Sequence, residues 1–242
     1  MVTRHGFKEM LIGSFVLAAV AVGLGYAWWP LALIVIPVLI WLFAFFRDPD
    51  REIPAEQHVM VSPADGTVSD ITELPSYNLL DGQPALRIGI FLSVFNVHVN
   101  RSPCDGRIVK VEYKKGRFIN AMSHGAASEQ NESNTIVLAE PNGDRKIAVV
   151  KQIVGLIARR IVFSGREGDV LKRGQRIGMI KFGSRTELYI PAWMEPEIQV
   201  KQGQKVRGAA DVIAVLKKPI ETTEPAKYSA EFEPLVGRQT PA

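Results

Sequence analysis

The residues best suited to acid–base or nucleophilic chemistry in this 242-residue chain are four histidines, one cysteine and the serine of the Gly183-Ser184 bond. His5 precedes a long apolar segment and His58 lies in the stretch that follows it, so both read as incidental surface residues. His98 differs, because it falls in the apolar run Ile90-Phe91-Leu92-Ser93-Val94-Phe95-Asn96-Val97-His98-Val99-Asn100-Arg101-Ser102-Pro103. A buried lone histidine is ordinarily a core residue with its ring hydrogen-bonded. The neighbouring Asn96, Asn100 and Arg101 make a polar pocket the competing reading. A Ser-His-Asp constellation would let such a histidine activate a hydroxyl, but composition by itself singles out no particular triple. The chain contains no HExxH, EF-hand pattern, Cys/His cluster, GxSxG or phosphate-binding glycine loop, so no metal site is expected. Cys104, as the single cysteine, excludes an intramolecular disulfide framework and a multi-cysteine zinc site.

These residues need a scaffold, and the hydrophobic residues are spread unevenly along it. From Met10 to Phe46 there is no charged residue. As one helix that run measures about 55 Å at ~1.5 Å per residue, too long for a bilayer core of about 30 Å. The run divides at Tyr26-Ala27-Trp28-Trp29-Pro30, where the proline suits a first helical turn and the tryptophans suit a membrane–water interface. Two helices, 10–28 and 31–46, are therefore predicted as a hairpin spanning 10–46, after a short N-terminus over 1–9. Arg4, Lys8, Arg47 and Arg51 flank it, which places both ends in the cytoplasm by the positive-inside rule. A signal peptide is excluded by the second apolar run, and a soluble core hairpin by the lack of a polar face. The net charge of +4 mixes both signs throughout and does not argue for nucleic acid.

Residues 47–216 change to short β-rich runs broken by Gly, Pro, Asn and Asp. Strands are predicted at Ala85–Val94, Ile108–Tyr113, Thr135–Leu138, Lys146–Val150 and Arg176–Phe182, with turns at Asp81-Gly82 and Asn142-Gly143. Residues 217–242 read as an extended or disordered tail. Two spellings recur: Ser62-Pro63-Ala64-Asp65-Gly66 with Ser102-Pro103-Cys104-Asp105-Gly106, and Lys172-Arg173-Gly174-Gln175 with Lys201-Gln202-Gly203-Gln204. Each is turn chemistry that leads into a strand. The fold class predicted is mainly β: two lipoyl/biotinyl-like β units packed as one domain behind an N-terminal hydrophobic helical hairpin. Architecture of this kind does not by itself name a function.

The stretch Gly178-Met179-Ile180-Lys181-Phe182-Gly183-Ser184-Arg185-Thr186-Glu187-Leu188-Tyr189-Ile190-Pro191 narrows the choice. Together with Pro63-Ala64-Asp65-Gly66, the Phe91–Arg101 run, Ala127-Ser128-Glu129-Gln130-Asn131-Glu132 and Val154-Gly155-Leu156-Ile157-Ala158-Arg159-Arg160-Ile161, it resembles the short-form phosphatidylserine decarboxylase proenzymes. The resemblance covers nearly all of 1–216. It implies a pyruvoyl-dependent carboxy-lyase, with neither metal nor pyridoxal phosphate, that makes its own cofactor. Ser184 Oγ attacks the Gly183 carbonyl, an N→O acyl shift and β-elimination follow, and the pyruvoyl group caps the new end at Ser184. A β chain of 1–183 and an α chain of 184–242 result and stay associated, with room for a homodimer. By resemblance His98 is the base and Asp65 orients it, while longer family members carry a second histidine where this chain has Arg101.

The implied reaction joins the phosphatidylserine amine to the pyruvoyl ketone as a Schiff base, loses CO₂ and releases phosphatidylethanolamine. Asn96, Arg101, Arg159 and Arg160 are the candidate substrate-binding residues, the last two for a phosphate. The resemblance implies a cell-membrane enzyme whose catalytic domain faces the cytoplasm, with a membrane phospholipid as partner. Two other readings of the same residues are a membrane-anchored lipoyl-like adaptor without catalysis and a membrane-bound hydrolase on a similar scaffold.

Overall fold

A computed structural model describes residues 2–56, 58–119, 124–156, 160–181 and 183–220. The chain forms two compact units, Met1–Asp50 and Arg51–Ala242. The first is helical and follows from its apolar sequence. Helix α1 (Phe7–Ala27) is followed by α2 (Trp29–Ala32) and α3 (Val35–Phe45). The hairpin thus has three helical pieces where two were predicted. Trp28 is extended (φ −167°, ψ 112°) and ends α1, while Pro30 occupies the first turn of α2. The second break, at Leu33 and Ile34, follows from Pro37, which has no N–H to donate to the Leu33 carbonyl. The two ends of the unit meet, since Val2 bridges Arg47 and Thr3 N donates to Phe46 O at 2.8 Å. The helical stretch Arg4–Ala27 is long and apolar enough to cross a bilayer, and its most apolar window is 6% buried. A helix apolar on every side and this exposed suits lipid rather than water.

The second unit is mainly β. Its strands are β1 (Val59–Val61), β2 (Gly66–Tyr77), β3 (Gln83–Leu92), β4 (Val99–Arg101), β5 (Gly106–Lys114), β6 (Ser133–Ala139) and β7 (Lys146–Val154). They continue with β8 (Arg160–Phe163), β9 (Val170–Leu171), β10 (Arg176–Lys181), β11 (Ser184–Pro191), β12 (Pro196–Ile198), β13 (Lys205–Val206) and β14 (Val212–Leu216). A short helix, α4 (His124–Gln130), precedes β6. Eight strands form one antiparallel sheet in the order β13-β2-β3-β11-β7-β6-β5-β9, and β1-β14-β12 and β4-β10-β8 form two small sheets. The core gathers Ile88, Ile90 and Leu92 of β3, Ile136 and Leu138 of β6, and Leu188 and Ile190 of β11. At Asp81-Gly82 both residues take positive φ (59° and 74°), the geometry that this pair favours in a hairpin turn. From residue 221 onward the tail lies outside the described residues.

Hydrogen bonds reveal an internal pseudo-repeat. Ser62 Oγ donates to Ala64 O at 2.7 Å, and Ser102 Oγ to Cys104 O at 2.8 Å. Asp65 Oδ1 accepts from Gly208 N, and Asp105 Oδ1 from Arg173 N, each at 2.7 Å. Val61 N donates to Pro103 O and Arg101 N to Pro63 O, each at 2.9 Å, the reciprocal exchange expected of copies related by a twofold. The second pair of spellings aligns differently from the prediction. Gly203 N bonds Val68 O as Gly168 N bonds Ile108 O, and Ala209 N bonds Ser62 O as Gly174 N bonds Ser102 O. The structural repeat therefore matches Gly203 to Gly168 and Ala209 to Gly174. What Lys-x-Gly-Gln marks is a shared turn, in which the Lys172 and Lys201 amides donate to Gln175 and Gln204 Oε1 at 2.8 and 3.1 Å.

Candidate active site

Strand β11 lies at the centre of the large sheet, and its first residue is Ser184. Leu92 pairs with Ser184 from β3, and Val154 from β7. The carboxyl ends of β3 and β7, with that of β10 just before Gly183, therefore converge on the amino end of β11. All eight residues of β11 are buried. Because side chains alternate along a strand, Ser184, Thr186, Leu188 and Ile190 share one face, and Arg185, Glu187 and Tyr189 share the other.

On the first face, Ser184 Oγ is fully buried and has no hydrogen-bond partner among the described residues. A native structure rarely leaves a buried hydroxyl unpaired without a functional reason. Gly183 before it takes φ 60°, the left-handed region where a side chain is strained. Its N–H donates to His98 Nε2 at 3.2 Å. His98 is itself fully buried, and its Nδ1 lies 3.0 Å from Asn96 O. A carbonyl only accepts, so Nδ1 carries the proton and Nε2 keeps the lone pair that receives Gly183 N–H. The ring is thus a neutral base whose Nε2 meets the N–H of the residue that precedes Ser184.

The other predicted residues fall in distinct places. The Asp65 carboxylate, nearly buried, accepts from Arg51 Nη2 and from Gly208 N, each at 2.7 Å, while the ring bonds just described come from Asn96 and Gly183. Asn96 closes a turn in which its Oδ1 accepts from Ser93 N and Oγ at 2.9 and 2.7 Å, so its carbonyl, not its side chain, is what faces His98. Arg101 is buried and donates to Gly174 O at 3.2 Å. Arg160 begins β8 opposite Lys181 and is exposed, and Arg159 lies outside the described residues. Asn100, two residues beyond His98, joins a buried amide chain. Asn134 Nδ2 donates to Gln152 Oε1, Gln152 Nε2 to Asn100 Oδ1, and Asn100 Nδ2 to Thr186 Oγ1, at 3.0, 2.8 and 3.0 Å. The chain holds β4, and so the residue after His98, against the face that carries Ser184.

The second face holds a charge network that sequence reasoning did not single out. Arg185 and Glu187 are both fully buried, with Arg185 Nε donating to Glu187 Oε1 at 2.9 Å. Arg185 Nη2 donates to Asp70 Oδ1 at 2.6 Å, and Nη1 to Ser69 Oγ. Glu187 Oε2 accepts from Ser128 Oγ at 2.9 Å and Tyr189 Oη at 2.7 Å, and the Tyr189 ring stacks on Tyr77. Gly89 makes room for the ion pairs, because a Cβ there would lie 2.0 Å from Arg185 Nη2. The signal available in the sequence was the Arg-x-Glu alternation immediately after Gly-Ser, with a glycine in the strand that pairs with it.

Electrostatics follow from this burial. For Asp70, burial alone raises the carboxyl pKa, but the bond and charge of Arg185, with Ser69 and Arg87, outweigh it and hold the group below its ordinary value. Burial pushes Lys151 down, partly offset by Glu187, and pushes Tyr77 up to about 12. A carboxyl whose folded pKa is depressed contributes stability that is present above its unfolded value, about 4, and is lost as pH falls through the folded value. Urea midpoints measured over descending pH should therefore drop more steeply below about pH 4 in the parent than in Asp70→Asn.

Comparison with known proteins identifies a family. A family model described as phosphatidylserine decarboxylase matches residues 38–214. Proteins named phosphatidylserine decarboxylase proenzyme align from Rhodopirellula baltica at 43% identity (87% of this chain, 86% of the relative) and from Ruegeria pomeroyi at 44% (88% and 95%). A third, from Carboxydothermus hydrogenoformans, is 46% identical over 77% of this chain and 85% of its own length. The matched region takes in Gly183-Ser184, and by the extent of these matches the chain belongs to the phosphatidylserine decarboxylase family.

Proposed function

We propose that the chain is a self-processing carboxy-lyase that converts phosphatidylserine to phosphatidylethanolamine and CO₂. The observation that carries this reading, beside family membership, is the buried Ser184 Oγ, unpartnered among the described residues, beside a Gly183 whose N–H meets the Nε2 of a neutral His98. Since Nδ1–H is committed to Asn96 O, any proton that His98 accepts goes onto Nε2. Once Nε2 gives up the Gly183 N–H, Ser184 Oγ passes its proton to that nitrogen and attacks the Gly183 carbonyl. The C–N bond breaks as the proton moves on to the Ser184 nitrogen, leaving the acyl group on oxygen as an ester. Loss of the Ser184 Cα proton then expels the Gly183 carboxylate, and hydrolysis of the remaining enamine leaves a pyruvoyl group on the α chain with release of ammonia.

The residues present fit that group: a glycine able to take the strained turn, a serine with no competing bond among the described residues, and a buried base. When formed, the pyruvoyl carbonyl supplies an electron sink for a primary-amine substrate. The chain's own residues contribute the rest. His98 holds or returns a proton at Nε2, and the buried strands exclude bulk water. Asp65 enters as the carboxylate of the Pro-Ala-Asp-Gly turn, and Arg160 as a cation for the substrate phosphate. Pairing of Ser184–Pro191 with both β3 and β7 supports an α chain that stays in the sheet after the bond to Gly183 is gone. The apolar hairpin supports a membrane location, and its flanking Arg4, Lys8, Arg47 and Arg51 support a catalytic unit facing the cytoplasm.

Intact mass of purified protein tests the reading together with CO₂ release from phosphatidylserine. Two fragments meeting at 183/184, the smaller blocked to Edman degradation, are expected; one intact chain without activity refutes it. His98→Ala should slow self-cleavage by roughly 10²–10⁴-fold, the usual contribution of a positioned base, as followed by the two-band pattern over time.

A further inference from the structure

Among the described residues of the second unit, four large apolar side chains are exposed: Ile53, Phe95, Phe118 and Leu156. Three of them stand at the end of the sheet that holds Gly183-Ser184. Leu92 and Val154 flank Ser184 on adjacent strands, and the chain continues from them to Phe95, 72% exposed, and Leu156, 64% exposed. Phe118 belongs to the same end. Asn131 accepts from Ile119 N at 2.8 Å and donates from Nδ2 to Ile119 O and to Val154 O at 2.7 and 2.8 Å, tying that segment to the tip of β7. The turn presenting Phe95 is likewise fastened, by Ser93 donating to Asn96 Oδ1. Exposure here is thus built in, since folded strands and bonded turns hold these side chains outward. Around them Lys114, Lys115, Arg117 and Arg160 are exposed, against Glu129 exposed and Glu132 half-buried.

We propose that this end of the sheet is a bilayer-docking surface, with Phe95, Leu156 and Phe118 entering the headgroup–acyl boundary and the basic residues meeting anionic headgroups. The proposal rests on the decarboxylase reading, because a lipid whose amine must reach residue 184 is best delivered from a membrane held against that end. Apolar side chains ringed by cations are the pattern of interfacial attachment, in which burial and charge attraction add. A second copy of the chain is the less suitable occupant, since facing copies concentrate like charge, whereas an anionic bilayer complements it.

The full chain, reconstituted in bilayers, allows a direct reading. Cys104 is buried and its thiol is pushed up by burial, so Phe95→Cys offers the one accessible thiol for an environment-sensitive fluorophore. In phosphatidylcholine bilayers containing phosphatidylglycerol, the label should shift to the blue and be quenched by doxyl-labelled lipids. An unquenched label overturns the proposal. So does a blue shift that depends on protein concentration and needs no lipid, which would assign the surface to a second copy. In Phe95→Ser/Leu156→Ser, complete self-cleavage reports the fold, and the ratio of the rate on vesicle-borne phosphatidylserine to that on a monomeric short-chain form should fall on the order of tenfold. An unaltered ratio overturns docking. A parent chain that decarboxylates neither form fails the decarboxylase reading instead, and the quenching result still decides the surface.

Discussion

Ser184→Ala should give a single uncut chain with no decarboxylase activity and an unimpaired fold. Alanine removes the nucleophile on which the acyl shift depends. The stability expectation is equally specific. The wild-type hydroxyl is buried without a partner among the described residues, so it contributes a desolvation cost of about 1–3 kcal/mol and no compensating bond. Deleting it should leave the melting temperature of the uncut chain equal to or above that of a Ser184-containing chain caught before cleavage. Intact mass, CO₂ release and thermal unfolding check the three parts. Cleavage at another bond, or retained activity, removes the pyruvoyl reading; a markedly less stable alanine variant removes the claim that the hydroxyl is unpaired.

Glu187→Ala should be the most destabilising single change on the opposite face of the same strand. Its carboxylate neutralises Arg185 inside a fully buried site and receives Ser128 and Tyr189. Removing it leaves buried Arg185 with Asp70 alone and takes the acceptor from Ser128 and Tyr189, a cost approaching the ~3–5 kcal/mol of a broken buried pair. That is a large share of the ~5–15 kcal/mol by which domains are usually stable. The Ser128 bond ties α4 to the sheet, so hydrogen exchange at Ala127–Gln130 should rise as well. Replacing both members, Arg185→Met with Glu187→Leu, should recover part of the loss, because the fully buried pair becomes apolar while Asp70 keeps Arg87. Denaturant midpoints of the two single variants and the double close the cycle, and additive losses would show that the pair is not coupled.

The network also explains why some of the site was legible beforehand and some was not. His98 could be singled out as a scarce type in an apolar run with polar neighbours, and Ser184 through the family resemblance of its run. The expected strands stopped at Phe182, however, and did not extend through Ser184–Pro191, which became the central strand. Arg185, Thr186 and Glu187 read as surface residues when only their types are considered. Their burial depends on Asp70 of β2, Ser128 of α4 and the missing side chain of Gly89, partners 59 to 115 positions away for the two bonded groups. No local pattern carries that information. Similarly, Pro30 announced the first break of the hairpin, while the break before Pro37 passed unnoticed within an unbroken apolar run.

The Gly-Ser bond stood out through its family resemblance; by itself, the amino-acid order determined the apolar hairpin, the mainly β unit behind it and the Asp-Gly turns. Each rests on near-neighbour physics: hydrophobic runs, proline's missing donor, and turn residues that tolerate positive φ. Tertiary structure alone decided that Ser184 is unpaired among the described residues, that His98 Nε2 meets Gly183 N–H, and that Gly203 matches Gly168 in the internal repeat. It also decided that Phe95, Phe118 and Leu156 gather at the end that carries the reactive bond. The physical reason is common to all four. Whether a hydroxyl has a partner, what a ring nitrogen meets and which side chains share a surface depend on segments brought together by strand pairing across more than fifty residues, as Ser184 with Leu92 shows.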